Sequence, residues 1–250
     1  MDPVSTTLSS DAPLSEPARI LNTFIAPSKT FTDLQRNATW WGPFVLLCLV
    51  IVLFMVVLDR QIGFTQVTKN EMAKSPKRAE QFDKLPPEQK AQQLEFAAKF
   101  TKGFSYASPI FALIAYLIAA GVLLGVFNLG AGAGVKFKVA LAIVVYANLP
   151  WLIHALLAIA SMMTGAVDKE GFDINNTVGS NPAYYFEAVG NKFLHGIASA
   201  FDIFAIWTIV LMGIGFACNS KVKRSTAIML VAGTFFAYKL IGASLGALFG

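Results

Sequence analysis

The feature that most constrains this chain is a run without charge. From Trp40 to Leu58, 19 residues include no Asp, Glu, Lys, Arg or His. As an α-helix rising about 1.5 Å per residue, the run is about 28 Å long, close to the hydrocarbon thickness of a bilayer. Trp40 and Trp41 stand at one end, where amphipathic rings sit at headgroup level, and Arg36 and Arg60 bracket the run. It reads as a membrane span.

Further apolar runs repeat the signal at about 104–129, 139–163, 199–217 and 226–249. With 40–58 they predict an all-α, polytopic transmembrane helical bundle of five spans, its termini on opposite sides. Only 14% of residues are charged, against about 25% in an average soluble domain, which excludes a soluble core as the main explanation. The first 39 residues lack the basic start and apolar centre of a secretory signal. A net charge of +5 would by itself fit nucleic acid, but the Lys and Arg residues fall mostly in loops between apolar runs. There they read as topology signals and headgroup contacts, so the expected partner is the lipid bilayer and not nucleic acid. Cys48 and Cys218 offer no disulfide framework, and Cys48 reads as a small core residue.

Outside the spans, residues 1–18 are rich in Ser, Thr, Pro and Ala and read as a disordered tail. Order is expected from Arg19. Ile20, Leu21, Phe24 and Ile25 share one helical face until Pro27; a second short helix, with Ser28 or Thr30 as N-cap, carries Phe31 and Leu34 on one side. Residues 19–39 therefore read as interfacial amphipathic helices. Phe24, Ile25, Phe31, Leu34, Trp40 and Trp41 are expected at the membrane interface, with Lys29 and Arg36 near anionic headgroups. A loosely ordered linker is the other reading. The segment 59–103, with nine basic and six acidic residues divided by Pro86 and Pro87, predicts an extramembrane helical element around "EQKAQQLEFAAKF". The connection 164–198 is acidic at its start, and its Tyr184, Tyr185 and Phe186 suit an interface. The short connections 130–138 and 218–225 carry Lys136, Lys138, Lys221, Lys223 and Arg224 and no acid, which places the N-terminus inside.

The stretch "APSKTFTDLQRNATWWGPFVLL", residues 26–47, resembles the bacterial branch of the Yip domain family. The likeness rests on Pro27, Phe31, Arg36, Trp40, Trp41 and Pro43, and on the plan of a polar N-terminal segment, five spans and almost no C-terminal tail. It extends over residues 19–249. The resemblance implies an integral protein of a bacterial cytoplasmic membrane, with a cytoplasmic N-terminus. Eukaryotic members are associated with Rab GTPases and vesicle traffic, but their DLYGP-like signature is missing; "WWGPF" shares only its Gly-Pro, so no residue is assigned to GTPase binding.

Soluble-enzyme motifs are absent. His154 and His195 are the only histidines, too few for a multi-histidine metal cage, and neither metal nor cofactor is expected. The glycine-rich "NLGAGAGVKFK" lacks the spacing of a phosphate-binding loop and follows an apolar helix, so it reads as a tight turn. Asn37 and Asn175 open short sequons of a kind frequent by chance. Three ionisable residues lie inside spans: His154, Asp202 and Lys239. Counted from the basic ends of their helices, all three lie about 22–24 Å deep. That shared depth permits an Asp202–Lys239 ion pair with His154 nearby, serving either an ion- or proton-coupled site or helix packing. Gly242, Gly246 and Gly250, and Gly121 with Gly125, recur every four residues and read as flat faces for helix packing within one chain or between two copies. Pro150 should kink the third span and free a carbonyl near Tyr146, with Asn148 or a water as its partner.

The leading expectation is a non-catalytic membrane scaffold, of membrane-organising or trafficking type, with a homo-oligomer or protein partner allowed. The alternative is a small proton- or ion-coupled transporter or channel using His154, Asp202 and Lys239.

Overall fold

A computed structural model of the chain describes residues 12–185 and 192–249. Among these residues every regular element is helical. The chain opens with two short helices, α1 (Glu16–Ile25) and α2 (Pro27–Asp33). The first long helix follows, α3 (Trp41–Gln61). Three more helices, α4 (Phe64–Ala73), α5 (Pro76–Asp83) and α6 (Pro87–Tyr106), build the polar segment. Next comes α7 (Ser108–Ala131), and then the pair α8 (Phe137–Ala147) and α9 (Pro150–Met163). The chain ends in α10 (Lys192–Ala198), α11 (Ile203–Cys218) and α12 (Arg224–Phe249). The five-span plan is carried by α3, α7, the α8–α9 unit and α12, with α11 as the fifth. Four of these are long and apolar enough to cross a membrane; α11 reaches that length only with the helical turns before it, from which it is bent by 58°.

Local chemistry sets the breaks. Helix α7 ends where Gly132 takes a left-handed conformation (φ +60°), a geometry that a Cβ would penalise. Asn128 closes the turn with a pair of hydrogen bonds, its Nδ2 donating to the Val135 carbonyl and its Oδ1 accepting from the Val135 N–H, both 2.9 Å. At the α8–α9 junction Pro150 supplies no N–H to Tyr146. That carbonyl is met by the Leu149 N–H at 3.1 Å, while the Asn148 side chain turns back to Val144.

Two cores result. The larger one joins α2, α7, α8 and α11, with Phe127 stacked on Phe216 at 4.1 Å between ring centres and Ile143, Val144 and Tyr146 fully buried. The smaller one lies at the far end of the bundle, where Leu58, Phe64, Val67, Met162 and Phe172 bring together α3, α4, α9 and the 164–185 loop. That loop is tied to α4 through Asn70, which donates to the carbonyls of Lys169 and Phe172 at 2.9 Å. Residues 59–103 are thus built on three helices, of which α4 packs on the bundle through the smaller core. Within this segment Ala98 is buried and Phe100 is exposed.

The N-terminal helices differ most from expectation. Helix α1 begins at Glu16, ahead of Arg19, because Ser15 caps it by accepting from the Ala18 N–H and Pro17 occupies its first turn. Residues 1–11 of the expected tail lie outside the described residues, as does Phe186.

Candidate functional site

The N-terminal helices converge on Arg19, a charge that is only 2% exposed. Its Nε and Nη2 each lie 2.7 Å from Asp33 Oδ2 on α2, and its Nη1 donates to Thr39 Oγ1 at 2.6 Å and to Glu16 Oε1 at 3.3 Å. Thr39 in turn donates to Glu16 at 2.6 Å. The other Glu16 oxygen accepts from the Tyr146 hydroxyl of α8, also at 2.6 Å. The backbone carbonyl of Arg19 takes two hydroxyls, those of Thr23 and Thr30, at 2.8 Å each. Burial works against the Arg19 charge, but its polar neighbours, Asp33 first and Tyr146 second, together offset it and hold the guanidinium above its usual pKa. Gly42, in "WWGPF", leaves the space for this: a Cβ there would stand 2.7 Å from Glu16 Oε2.

Helix α2 is packed as firmly. Phe31 and Leu34 are both 0% exposed and belong to the main core. This corrects their expected place at the membrane interface: the apolar side of α2 meets α8 and α11, which present an equally apolar surface with a gap at Gly215. A Cβ on Gly215 would lie 3.1 Å from the Phe31 ring and 2.5 Å from Ile143. Asn219, past the end of α11, donates to the Phe31 carbonyl at 2.8 Å; Gln35 donates to the Cys218 carbonyl, and Arg224 to Ser28 Oγ at 2.9 Å. Phe24 is half-buried, edge-on to Trp207 at 5.8 Å, and so also turns toward the bundle. Of the four α1–α2 residues expected at the interface, only Ile25 is exposed, at 70%, and Leu21 joins it at 59%. Trp40 packs on the core and stacks on Trp41, which is exposed.

Tyr146 is ten residues beyond Lys136, about 15 Å along α8. Trp207 is eleven residues short of Cys218, about 16 Å along α11. Helices α1 and α2 therefore form a wedge within one half of the bundle, not a layer beneath it. The wedge is not legible in the sequence, because Arg19, Glu16 and Asp33 lie outside the apolar runs, where charge is unremarkable. The signal available was the Ser15–Glu16–Pro17 helix start and the spacing of Arg19 and Thr23 on one helical face.

The three intramembrane ionisable residues have separate surroundings. Asp202 is 5% exposed and caps α11: its Oδ1 accepts from the N–H groups of Phe204 and Ala205, and its Oδ2 from Ser180 and Asn181. Its oxygens are taken by these four donors, and among the described residues it has no ion-pair contact with Lys239. That expected pair is corrected, because the span breaks at Asp202 and the freed helix N-terminus takes the carboxylate. His154 lies against Trp151 and Phe204, with ring centres 5.0 and 5.2 Å away, and Lys239 lies over Phe235 at 5.8 Å. Both remain within electrostatic reach of Asp202.

The expectation that the glycine faces pack within one chain is corrected as well. Nothing stands within 4 Å of a Cβ built on Gly121, Gly125, Gly242 or Gly246, so none of them makes a close helix contact inside the chain. The close approaches belong to Gly213, where a Cβ would meet the Ile228 backbone at 2.6 Å, and to Gly215 and Gly196. Spacing marks small residues but not the side they face. Among the described residues no group of three or more His, Cys, Asp or Glu side chains is placed to hold a metal ion.

No curated protein and no solved structure matches the chain. A family model does: the Yip1 domain matches residues 21–245, from within α1 to near the end of α12. A helical bundle of four or five spans, with its N-terminal helices built into it, fits that match over nearly the whole chain, and the chain belongs to the Yip1 domain family.

Proposed function

We propose that this chain is a non-catalytic membrane scaffold whose N-terminal helices act as a fixed platform. The observation that carries the reading is the buried Arg19–Asp33–Glu16–Thr39–Tyr146 network, which makes α1 and α2 part of the bundle. A platform held this way presents Leu21, Ile25 and Lys29 outward in a constant orientation. Two apolar side chains four residues apart, beside a cation, suit contact with lipid next to anionic headgroups. The basic loop ending in Arg224 touches α2 at Ser28, so wedge and basic loop share one face. In a bacterial cytoplasmic membrane that face is the cytoplasmic one.

Nitroxide labels at residues 25 and 31 in proteoliposomes test the platform. The expected result is that the label at 25 is relaxed by lipid-soluble oxygen, while the label at 31 meets neither oxygen nor a water-soluble nickel chelate. Relaxation of the label at 25 by the nickel chelate alone would remove the lipid contact and with it this reading.

The ion- or proton-coupled transporter remains the second reading. Its support is the break in the fourth span at Asp202, with His154 and Lys239 in electrostatic reach. Asp202→Asn separates the two, because a capping amide preserves a scaffold and disables a carboxylate-driven carrier.

A further inference from the structure

At the end of the bundle away from the wedge, a cavity of about 490 Å³ lies between α4, α5, the 164–185 loop, α10 and the last turns of α12. Its walls carry the basic side chains Lys74, Arg78 and Lys239, together with His195, and two carboxylates, Glu71 and Asp173. Lys74 already engages both acids, with its Nζ 2.5 Å from each. Arg78 and Lys239 have no carboxylate within ion-pair distance among the described residues, and Asp202, the acid that acts on Lys239 electrostatically, has its oxygens occupied by the α11 cap. Arg78 and Lys239 thus face one cavity whose wall carries more cations than carboxylates. A guanidinium and an ammonium so placed are complementary to a phosphate.

The surroundings indicate which phosphate. The same α12 exposes Leu240, Ile241 and Leu245, α10 exposes Phe193 and Leu194, and Tyr238 stands 70% exposed in the cavity wall. A free anion has no use for an apolar apron beside its site, whereas a lipid lays acyl chains along one. Gly242, also in the wall, has open space where its Cβ would be, which leaves room for a headgroup. We propose that this cavity holds the headgroup phosphate of an anionic phospholipid between Arg78 and Lys239. The site lies on the opposite face from the platform and does not depend on it.

The test is native mass spectrometry of the detergent-purified full chain, titrated with palmitoyl-oleoyl phosphatidylglycerol or phosphatidylcholine. Phosphatidylglycerol is expected to be retained about tenfold better, a difference of about 1.4 kcal/mol. Arg78→Gln with Lys239→Gln should reduce it to the phosphatidylcholine level. Gly242→Leu, which fills the space without changing charge, should do the same. Lys84→Gln with Lys99→Gln removes two exposed cations elsewhere and should leave the preference intact. Equal retention of the two lipids by the unaltered chain, or an unchanged preference in both cavity variants, overturns the proposal. Displacement of the lipid by millimolar inorganic phosphate assigns the cavity to a soluble phosphate and overturns it too.

Discussion

Arg19 shows how a single side chain can fix the position of two helices. Its charge is removed from water and answered by Asp33, with Thr39 and Glu16 completing the set of acceptors. Removing one partner leaves the other charge buried, so Arg19→Gln should lower stability by about 3–5 kcal/mol. Replacing both, as in Arg19→Met with Asp33→Leu, should recover most of that loss. Thermal unfolding in detergent, run as a double-mutant cycle, measures both. Asp202 caps α11, so Asp202→Ala should cost about 1–2 kcal/mol and Asp202→Asn markedly less, read by the same method. These residues mark the limit of legibility in the sequence. His154, Asp202 and Lys239 attract notice because charge in an apolar run is rare, yet a carboxylate at a helix break finds backbone donors before it finds a distant lysine. Arg19 attracts none, because a polar segment hides a buried charge among solvated ones.

Among the elements, the spans were legible and their contacts were not. Uncharged length is a property of one helix, and it identified α3, α7, α8–α9 and α12 to within a few residues. Which side a helix turns to its neighbour depends on tertiary packing. The apolar faces of α1 and α2 were visible at Phe24, Phe31 and Leu34, but a membrane and a bundle of apolar helices present the same surface to such a face. The glycines make the same point. Gly213→Val should be strongly destabilising, because the group it meets is the Ile228 backbone, which cannot rotate away. Gly121→Ala and Gly242→Ala, with open space around them, should be neutral or slightly stabilising through better helix propensity. Unfolding midpoints of the three variants decide between packing by spacing and packing by contact. Phe31→Ala, which empties a fully buried site, should cost about 3 kcal/mol or more in the same assay.

For the whole molecule, the structure is a bundle with different equipment at its two ends. One end is filled by the wedge and edged by the basic loop that ends in Arg224. The other is closed by α4, α5 and the 164–185 loop around the smaller core. With Cys48 and Cys218 replaced by Ala, single cysteines at 75 and 222 should lie on opposite sides, so an impermeant reagent applied to intact cells should label 75 alone. Labelling of 222 alone would invert the molecule and place the platform outside.

Helices α1 and α2 are part of the bundle, held there by Arg19. Amide hydrogen exchange across residues 16–34 in reconstituted protein, with and without Arg19→Gln, tests this most directly. The expected result is protection comparable to that of α8 and α11 in the parent chain, lost together over both short helices in the variant. Rapid exchange over these residues in the parent, or protection unaffected by Arg19→Gln, would contradict it.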